Sequence, residues 1–343
     1  MAVTIKDIAR MANVSVATVS RVLNNKPGIS EKRRKAIIDL AEQVGYLPNQ
    51  SAQNLVRQRT HMLGFIASDL RSRAYVDFVQ TIEAGCRPRG YRVLIADSEG
   101  RVDSEKDNVN DMIRYRAEGL LIFPIADLDN NATLEHLMML RLRKIPFVVL
   151  GGSRVASFDS VVLAEAEGGY MIARHLLDLG HQRLALIGMP QQANPGAMER
   201  CEGVMRAMQE RGLLGDTPEE PAMRIAYDDG AGCFIPQTTS WLTQPDAPTA
   251  IIALNANVVL RLVRPILIMG KRIPDDVSLV CFGQEGWCSN FYPSISCARV
   301  DNQMRAQRAF DLLFKRMEDP DSPVMVDTVH YTLVERESTA PPQ

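Results

Sequence analysis

Residues 15–24 gather hydroxyls at Ser15, Thr18 and Ser20, a small side chain at Ala17, a guanidinium at Arg21 and an amide at Asn24. Arginine presents a planar fork of donors that matches the two acceptors on guanine's major-groove edge. Short hydroxylated side chains hydrogen-bond without holding a backbone away from its target. On one helix face this set suits the reading of base edges. Lys32, Arg33, Arg34 and Lys35 follow as a basic run, which with Asn24 supplies contacts to backbone phosphates. The alternative is a small helical module that packs against protein. The charge, the helix caps and the small polar face weigh against it.

The elements that must position these residues can be marked from their caps. Thr4 with Asp7 three residues on comes close to a capping box, and Ile5, Ile8, Ala9 and Ala12 recur at helical spacing. Asn13 suits the left-handed backbone of a tight turn. Ser15 caps a second helix with apolar positions Val16, Val19, Val22 and Leu23. Residues 24–28, Asn-Asn-Lys-Pro-Gly, form a loop by composition. Ser30 caps a third helix carrying Ala36, Ile37, Leu40, Ala41 and Val44 on one face, and Gly45 stops it. Helix, short turn, second helix and a third that closes the core is the helix-turn-helix plan. Pro48 then breaks the chain, Asn49 can cap, and a short helix reaching Leu55 can follow. Such a helix is too short to be stable alone. It needs a partner, for instance its own copy on DNA, where Leu55 is a candidate minor-groove wedge; the simpler alternative is a plain linker with one stray leucine.

With 343 residues, the chain has room for two or three domains. Its net charge of -2 hides a division: residues 1–60 hold ten Lys and Arg against four Asp and Glu, a charge of +6, which leaves -8 for the rest. A basic head on an acidic body is what a polyanion-binding module joined to a sensor carries. The six cysteines include no CxxC pair and no zinc-finger spacing, and most sit in apolar runs as reduced core thiols. No metal or cofactor is expected. The N-terminus has no apolar signal region, and the most apolar segment, residues 251–269, is interrupted by Asn255, Asn257, Arg261 and Arg264, so it cannot span a bilayer. These features point to a cytoplasmic protein with no membrane partner.

Beyond residue 62, short apolar runs alternate with helical patterns. Strands are expected at residues 63–67, 92–96, 119–123, 147–150, 183–187, 249–254, 277–282 and 296–299. Helices are expected near 75–88, 104–116, 132–143, 166–179, 197–211, 256–269 and 302–317. Strand–helix alternation with fully apolar strands predicts parallel sheets covered on both faces. There are too many strands for one sheet, and a break near 151–163 suggests two similar lobes with a ligand beside the strand ends.

The stretches Thr4-Ile5-Lys6-Asp7-Ile8-Ala9, Val14-Ser15-Val16-Ala17-Thr18-Val19-Ser20-Arg21-Val22-Leu23-Asn24 and Gly45-Tyr46-Leu47-Pro48-Asn49, with Ala52 and Leu55, resemble the head and hinge of the LacI/GalR family of bacterial repressors. One small departure is Asn13, where the family commonly has glycine. Looser motifs extend the resemblance over nearly the whole chain. Residues 175–188 are similar to the family's second-lobe opening, and residues 273–280 to the run before its last effector loop. The implied fold is an N-terminal all-α helix-turn-helix domain followed by an α/β two-lobed domain like the periplasmic sugar-binding proteins. The implied boundaries are 1–47 for the head, 48–61 for the hinge helix and linker, 62–337 for the effector-binding and dimerisation domain and 338–343 for a disordered tail. The implied function is transcription regulation, as a repressor: a homodimer on a near-palindromic double-stranded operator, controlled by a small-molecule effector. Val16, Ala17 and Arg21 would read bases, paired hinge helices would insert Leu55, and the DNA-contacting set is completed by Thr4, Ser15, Thr18, Ser20 and Asn24.

The resemblance also marks an effector site. Arg200 matches an effector-contacting arginine and Asn255 an asparagine, and Tyr227 stands in the place of a stacking aromatic. Arg73 and Tyr75 follow the first strand, where relatives place effector contacts, although the usual Asn-Pro-Phe-Phe is absent. Arg154 and Gln284 complete the expected set. Gly151 and Gly283 stand where carboxylates that grip sugar hydroxyls are frequent. Their loss beside Arg71, Arg73, Arg154 and Arg200 favours a sugar acid or sugar phosphate over a neutral sugar. The second hypothesis is an α/β carbohydrate-active or phosphosugar enzyme with an accessory DNA-binding head. It finds no G-x-S-x-G, no phosphate-binding G-x-x-x-x-G-K and no H-E-x-x-H. His175 and His181 flank Asp178, but Gly180 ends the helix between them, and a solvated helix end is expected there.

Overall fold

The computed structural model describes residues 3–23, 26–46, 59–70, 74–125, 134–151, 157–190, 195–214, 222–228, 232–283 and 285–343. The chain divides into two compact units, Met1–Thr60 and His61–Gln343.

The first unit is built on helices α1 (Ile5–Met11), α2 (Val16–Leu23) and α3 (Glu31–Gln43). Ile8, Ala9, Val19, Val22, Ile37 and Ala41 form its core. Thr4 and Asp7 complete the capping box at α1. Asn13 adopts a φ of 48°, the left-handed turn that lets α2 fold back on α1. Gly45, at φ 63°, ends α3 in the same manner. Ala36, expected on the core face of α3, is exposed. Residues 47–58, with the expected hinge helix and Leu55, lie outside the described residues.

The second unit contains two six-stranded sheets. The first has β1 (Met62–Ala67), β2 (Arg92–Asp97), β3 (Gly119–Ile122), β4 (Phe147–Leu150), β5 (Ser160–Leu163) and β11 (Val326–Val329) in the order β11-β5-β4-β3-β1-β2. The second has β6 (Leu184–Pro190), β7 (Met223–Asp228), β8 (Ala250–Ala253), β9 (Ser278–Phe282), β10 (Ser296–Arg299) and β12 (Thr332–Val334) in the order β12-β10-β9-β8-β6-β7. Neighbouring strands are parallel except β10 and β12. The fully buried runs of β3, β4, β8 and β9 are what two covered faces demand.

On the first sheet, α4 (Ala74–Cys86) and α12 (Asn302–Glu318) cover one face, while α5 (Val102–Arg114) and α6 (Glu135–Leu142) cover the other. On the second, α7 (Glu165–Asp178) and α8 (Pro195–Glu210) lie opposite α9 (Phe234–Trp241) and α10 (Ala256–Ile268). A short α11 (Glu285–Cys288) follows β9. The chain passes between lobes three times: at Ala164 between β5 and α7, at Val300–Asp301 between β10 and α12, and at His330–Tyr331 between β11 and β12.

Helices α7 and α8 meet backbone to backbone. A Cβ on Gly169 would lie 2.0 Å from the Arg200 carbonyl oxygen, and one on Gly203 would lie 2.0 Å from that of Ala166. Only glycine permits this approach.

Two expectations are overturned in the second unit. Residues 338–343 are not a disordered tail. Ser338 is fully buried, its hydroxyl donates to the Leu279 carbonyl and accepts from the Ser296 N–H, and its own carbonyl accepts from the Leu279 N–H. The Ala340 carbonyl accepts from Ser278. The prolines at 341 and 342 suggested disorder, but the residues before them are tied down by backbone hydrogen bonds. Nor does His181 sit at a solvated helix end: it is 2% exposed and wedged between Thr249 and Ala340.

Candidate nucleic-acid interface and effector crevice

The outward face of α2 is small and polar. Its N-terminus is capped by Ser15, whose Oγ accepts the Thr18 N–H at 3.0 Å and lies 2.9 Å from the Thr18 hydroxyl. Ser15, Ala17 and Arg21 are exposed, and Thr18 and Ser20 are half-buried. Val16 is 41% exposed although it belongs to the most apolar type on the helix, so burial cannot explain its presence there. Thr4 is exposed at the start of α1. The Arg21 guanidinium donates to the Pro27 carbonyl at 2.9 Å, so in the free chain it rests on the loop after α2. A base edge with two acceptors can outbid one carbonyl for it. Lys32, Arg33 and Lys35 are exposed on the first turns of α3. Arg34 differs: it reaches back to the Lys26 carbonyl at 2.7 Å and the Val22 carbonyl at 3.4 Å, clasping the end of α2. Asn24 lies outside the described residues.

In the second unit the described candidates fall at the carboxyl ends of strands, where open α/β sheets take ligands. Tyr75 opens α4 after β1, Tyr227 is near the end of β7, Asn255 follows β8, and Arg200 sits in α8 after β6. Their circumstances differ. Tyr227 is 50% exposed and available as a stacking surface. Asn255 caps α10, with Oδ1 accepting the Val258 N–H at 3.0 Å, so its amide NH2 group projects from a fixed helix end. Tyr75 is buried against Phe65 and Phe123 and pairs with the Ser68 hydroxyl. Burial pushes its phenol up from its ordinary value. Arg73, Arg154 and Gln284 lie outside the described residues.

Arg200 is held in a network the sequence did not announce. Nε and Nη2 grip the Glu165 carboxylate at 2.6 and 3.0 Å, Nη2 also donates to Tyr331 at 2.9 Å, and Nη1 donates to the Leu254 carbonyl at 2.8 Å. The guanidinium stacks 4.2 Å from the centroid of the Phe282 ring. Tyr331 donates its own proton to Glu165 at 2.7 Å, and burial pushes that phenol up. Glu165 and Tyr331 stand at two of the three passages between lobes. The arginine therefore fastens the second lobe's α8 to two of the passages between the lobes, with one Nη1 hydrogen left over among the described residues.

The comparisons with known proteins follow this geometry. Residues 4–49 match the family model "Bacterial regulatory proteins, lacI family", and residues 173–339 match "Periplasmic binding protein-like domain". The HTH-type transcriptional repressor PurR of Escherichia coli O139:H28 is 29% identical, with 98% of this chain and 97% of the relative covered. PurR of Shigella boydii serotype 18 matches equally. Among solved structures, the lac repressor dimer bound to operator and the anti-inducer ONPF superposes with a TM-score of 0.85 at 25% identity, covering 99% of this chain and 100% of that one. The CelR–cellobiose complex shares the fold, with a TM-score of 0.69 at 21% identity over 98% of this chain and 100% of that one. Among the described residues no helix is long and apolar enough to cross a membrane.

Proposed function

We propose that the chain is a regulator of the LacI/GalR family: a homodimeric, cytoplasmic repressor of a near-palindromic operator, switched by a polar small molecule. The observation that carries this reading is the face of α2. It keeps Val16 in water, caps itself with Ser15 and holds Arg21 on a single exchangeable carbonyl. Val16, Ala17 and Arg21 contact base edges. Thr4, Ser15, Thr18, Ser20 and Asn24 contact the sugar-phosphate backbone or adjacent bases, and Leu55 wedges into the central minor groove.

The body binds its ligand rather than transforming it. The relatives named above are transcription regulators, and the candidates offer groups that hold a ligand: an amide at Asn255, an aromatic face at Tyr227 and a guanidinium at Arg200 whose fork is fixed on Glu165. Arg73, Tyr75, Arg154 and Gln284 complete the proposed effector set. A sugar, sugar acid or sugar phosphate fits this chemistry. Ligand and operator are linked if the two lobe arrangements differ in affinity for both.

Selection from a pool of randomised palindromic duplexes tests the regulator reading. One family of sequences should be enriched, and its affinity should fall as salt rises. Equal affinity for every duplex at all salt concentrations would refute it.

A further inference from the structure

Arg305, in the first turn of α12, is 5% exposed, yet among the described residues it has almost nothing to hold. Its Nη2 makes one long contact, 3.4 Å, to the Val161 carbonyl, and its Nε has no hydrogen-bond partner. The rings of Phe78 and Phe123 lie against it, their centroids 5.5 and 5.2 Å away. Burial pushes its pKa down, but arginine stays charged at any cellular pH. A buried cation with one weak hydrogen bond is costly to keep.

Its position gives that cost a use. Gly151 lies directly after β4, and a Cβ there would sit 3.5 Å from the Arg305 Nη2. Phe123 directly follows β3, and Tyr75 follows β1. The guanidinium therefore stands at the carboxyl end of the first sheet, on the ligand side of the strands. The groups within its electrostatic reach are Tyr331, Glu165, Tyr75 and Arg200. Glu165 is already gripped from two sides by Arg200. Among the described residues the cluster thus holds two guanidiniums against one carboxylate, an excess of a single positive charge in a place that water barely reaches.

We propose that Arg305 is an anion-binding residue of the effector crevice, and that the group it takes is a monoanionic carboxylate, seated between Gly151 and Phe123 and met by the unpartnered Nε. A carboxylate cancels the single excess charge of the Arg305, Arg200 and Glu165 cluster and matches the planar fork, whereas a phosphate dianion would leave that cluster with a net negative charge. Gly151 places no side chain of its own against the Arg305 guanidinium. This rests on the regulator reading and sharpens it: the effector is a carboxylic acid, and Arg305 distinguishes it from its neutral parent.

The test uses the smallest probe of that chemistry on the whole chain. Wild-type protein and Arg305→Met are melted in sodium acetate, in acetamide, in inorganic phosphate and in sodium chloride, all brought to equal ionic strength with sodium chloride. Acetate should raise the Tm of the wild type by about 2–4 °C over chloride, acetamide should not, and Arg305→Met should lose the acetate response. Without additive, Arg305→Met should melt at or above the wild type, because it removes an uncompensated charge. An acetate response equal in both variants, none in the wild type, or Arg305→Met melting well below the wild type would each overturn the site. A larger rise with phosphate than with acetate would overturn the carboxylate assignment. Operator binding by the same samples is read separately: if no duplex is bound, the regulator reading fails while the acetate result still decides the site.

Discussion

Glu165 and Arg200 form a two-pronged ion pair, Oε2 to Nε at 2.6 Å and Oε1 to Nη2 at 3.0 Å, between the first residue of α7 and the middle of α8. Both side chains are mostly buried, at 10% and 19% exposed. Removing one member strands the other in a dry site. Glu165→Ala should therefore lower the free energy of unfolding by about 3–5 kcal/mol, read by urea denaturation. A loss below 1 kcal/mol, roughly the worth of a surface pair, would mean that water enters the passage between the lobes freely.

Arg21→Ala should weaken binding to the selected operator by about 1–3 kcal/mol, the worth of one good base contact, while affinity for random duplex changes far less. Fluorescence anisotropy on the two duplexes separates these effects. A uniform loss on both would make Arg21 a phosphate contact instead.

Asn255 carries two roles that substitution can part. Asn255→Ala removes the cap of α10 and should cost about 1 kcal/mol of stability, whereas Asn255→Ser keeps a capping oxygen and should recover most of it. Both lose the amide NH2 group, so both should bind the effector less tightly by calorimetry. Full effector affinity in Asn255→Ser would leave Asn255 a cap alone.

His181 gives the second unit an acid sensitivity. Burial holds its imidazole below the ordinary value of 6.5, with His175 pushing the same way and the Ala340 carbonyl opposing. A carbonyl can only accept, so Nε2 carries the proton and Nδ1 accepts from Thr249. As pH falls through about 6.5, the unfolded chain takes up a proton that the folded one still refuses. Stability should be unaffected by this group above that pH, decline below it and level off once the folded imidazole protonates. Urea midpoints measured from pH 7.5 down to 5 should show the decline, and His181→Gln should flatten it.

The head was legible because its signals are local. Thr4, Asn13, Ser15 and Gly45 each declare a cap or a turn within a few residues. Most strands of the body were legible as apolar runs. Four strands were not. β5 has four residues after a stretch of loop composition, β7 mixes Arg224 and Tyr227 into its run, and β11 and β12 are short, incompletely buried edges. The candidate effector crevice was legible only in part. Arg200 could be marked, but Glu165 is 35 residues away from it and Tyr331 is 131 away, and no short-range pattern ties them together. Arg305 sits in Asn302-Gln-Met-Arg-Ala-Gln-Arg, a string that reads as a solvated helix face. Only the fold of α12 against the first sheet turns it inward.

The threading of the last strands has a consequence for synthesis. β11 supplies an edge of the first sheet and β12 an edge of the second, so the first lobe lacks its full set of strands until the ribosome has passed Val329 and the second until it has passed Val334. The head needs nothing beyond its own first sixty residues to bury its core. With N-terminal units folding first during translation, a nascent chain carries a finished head well before it carries a finished sensor.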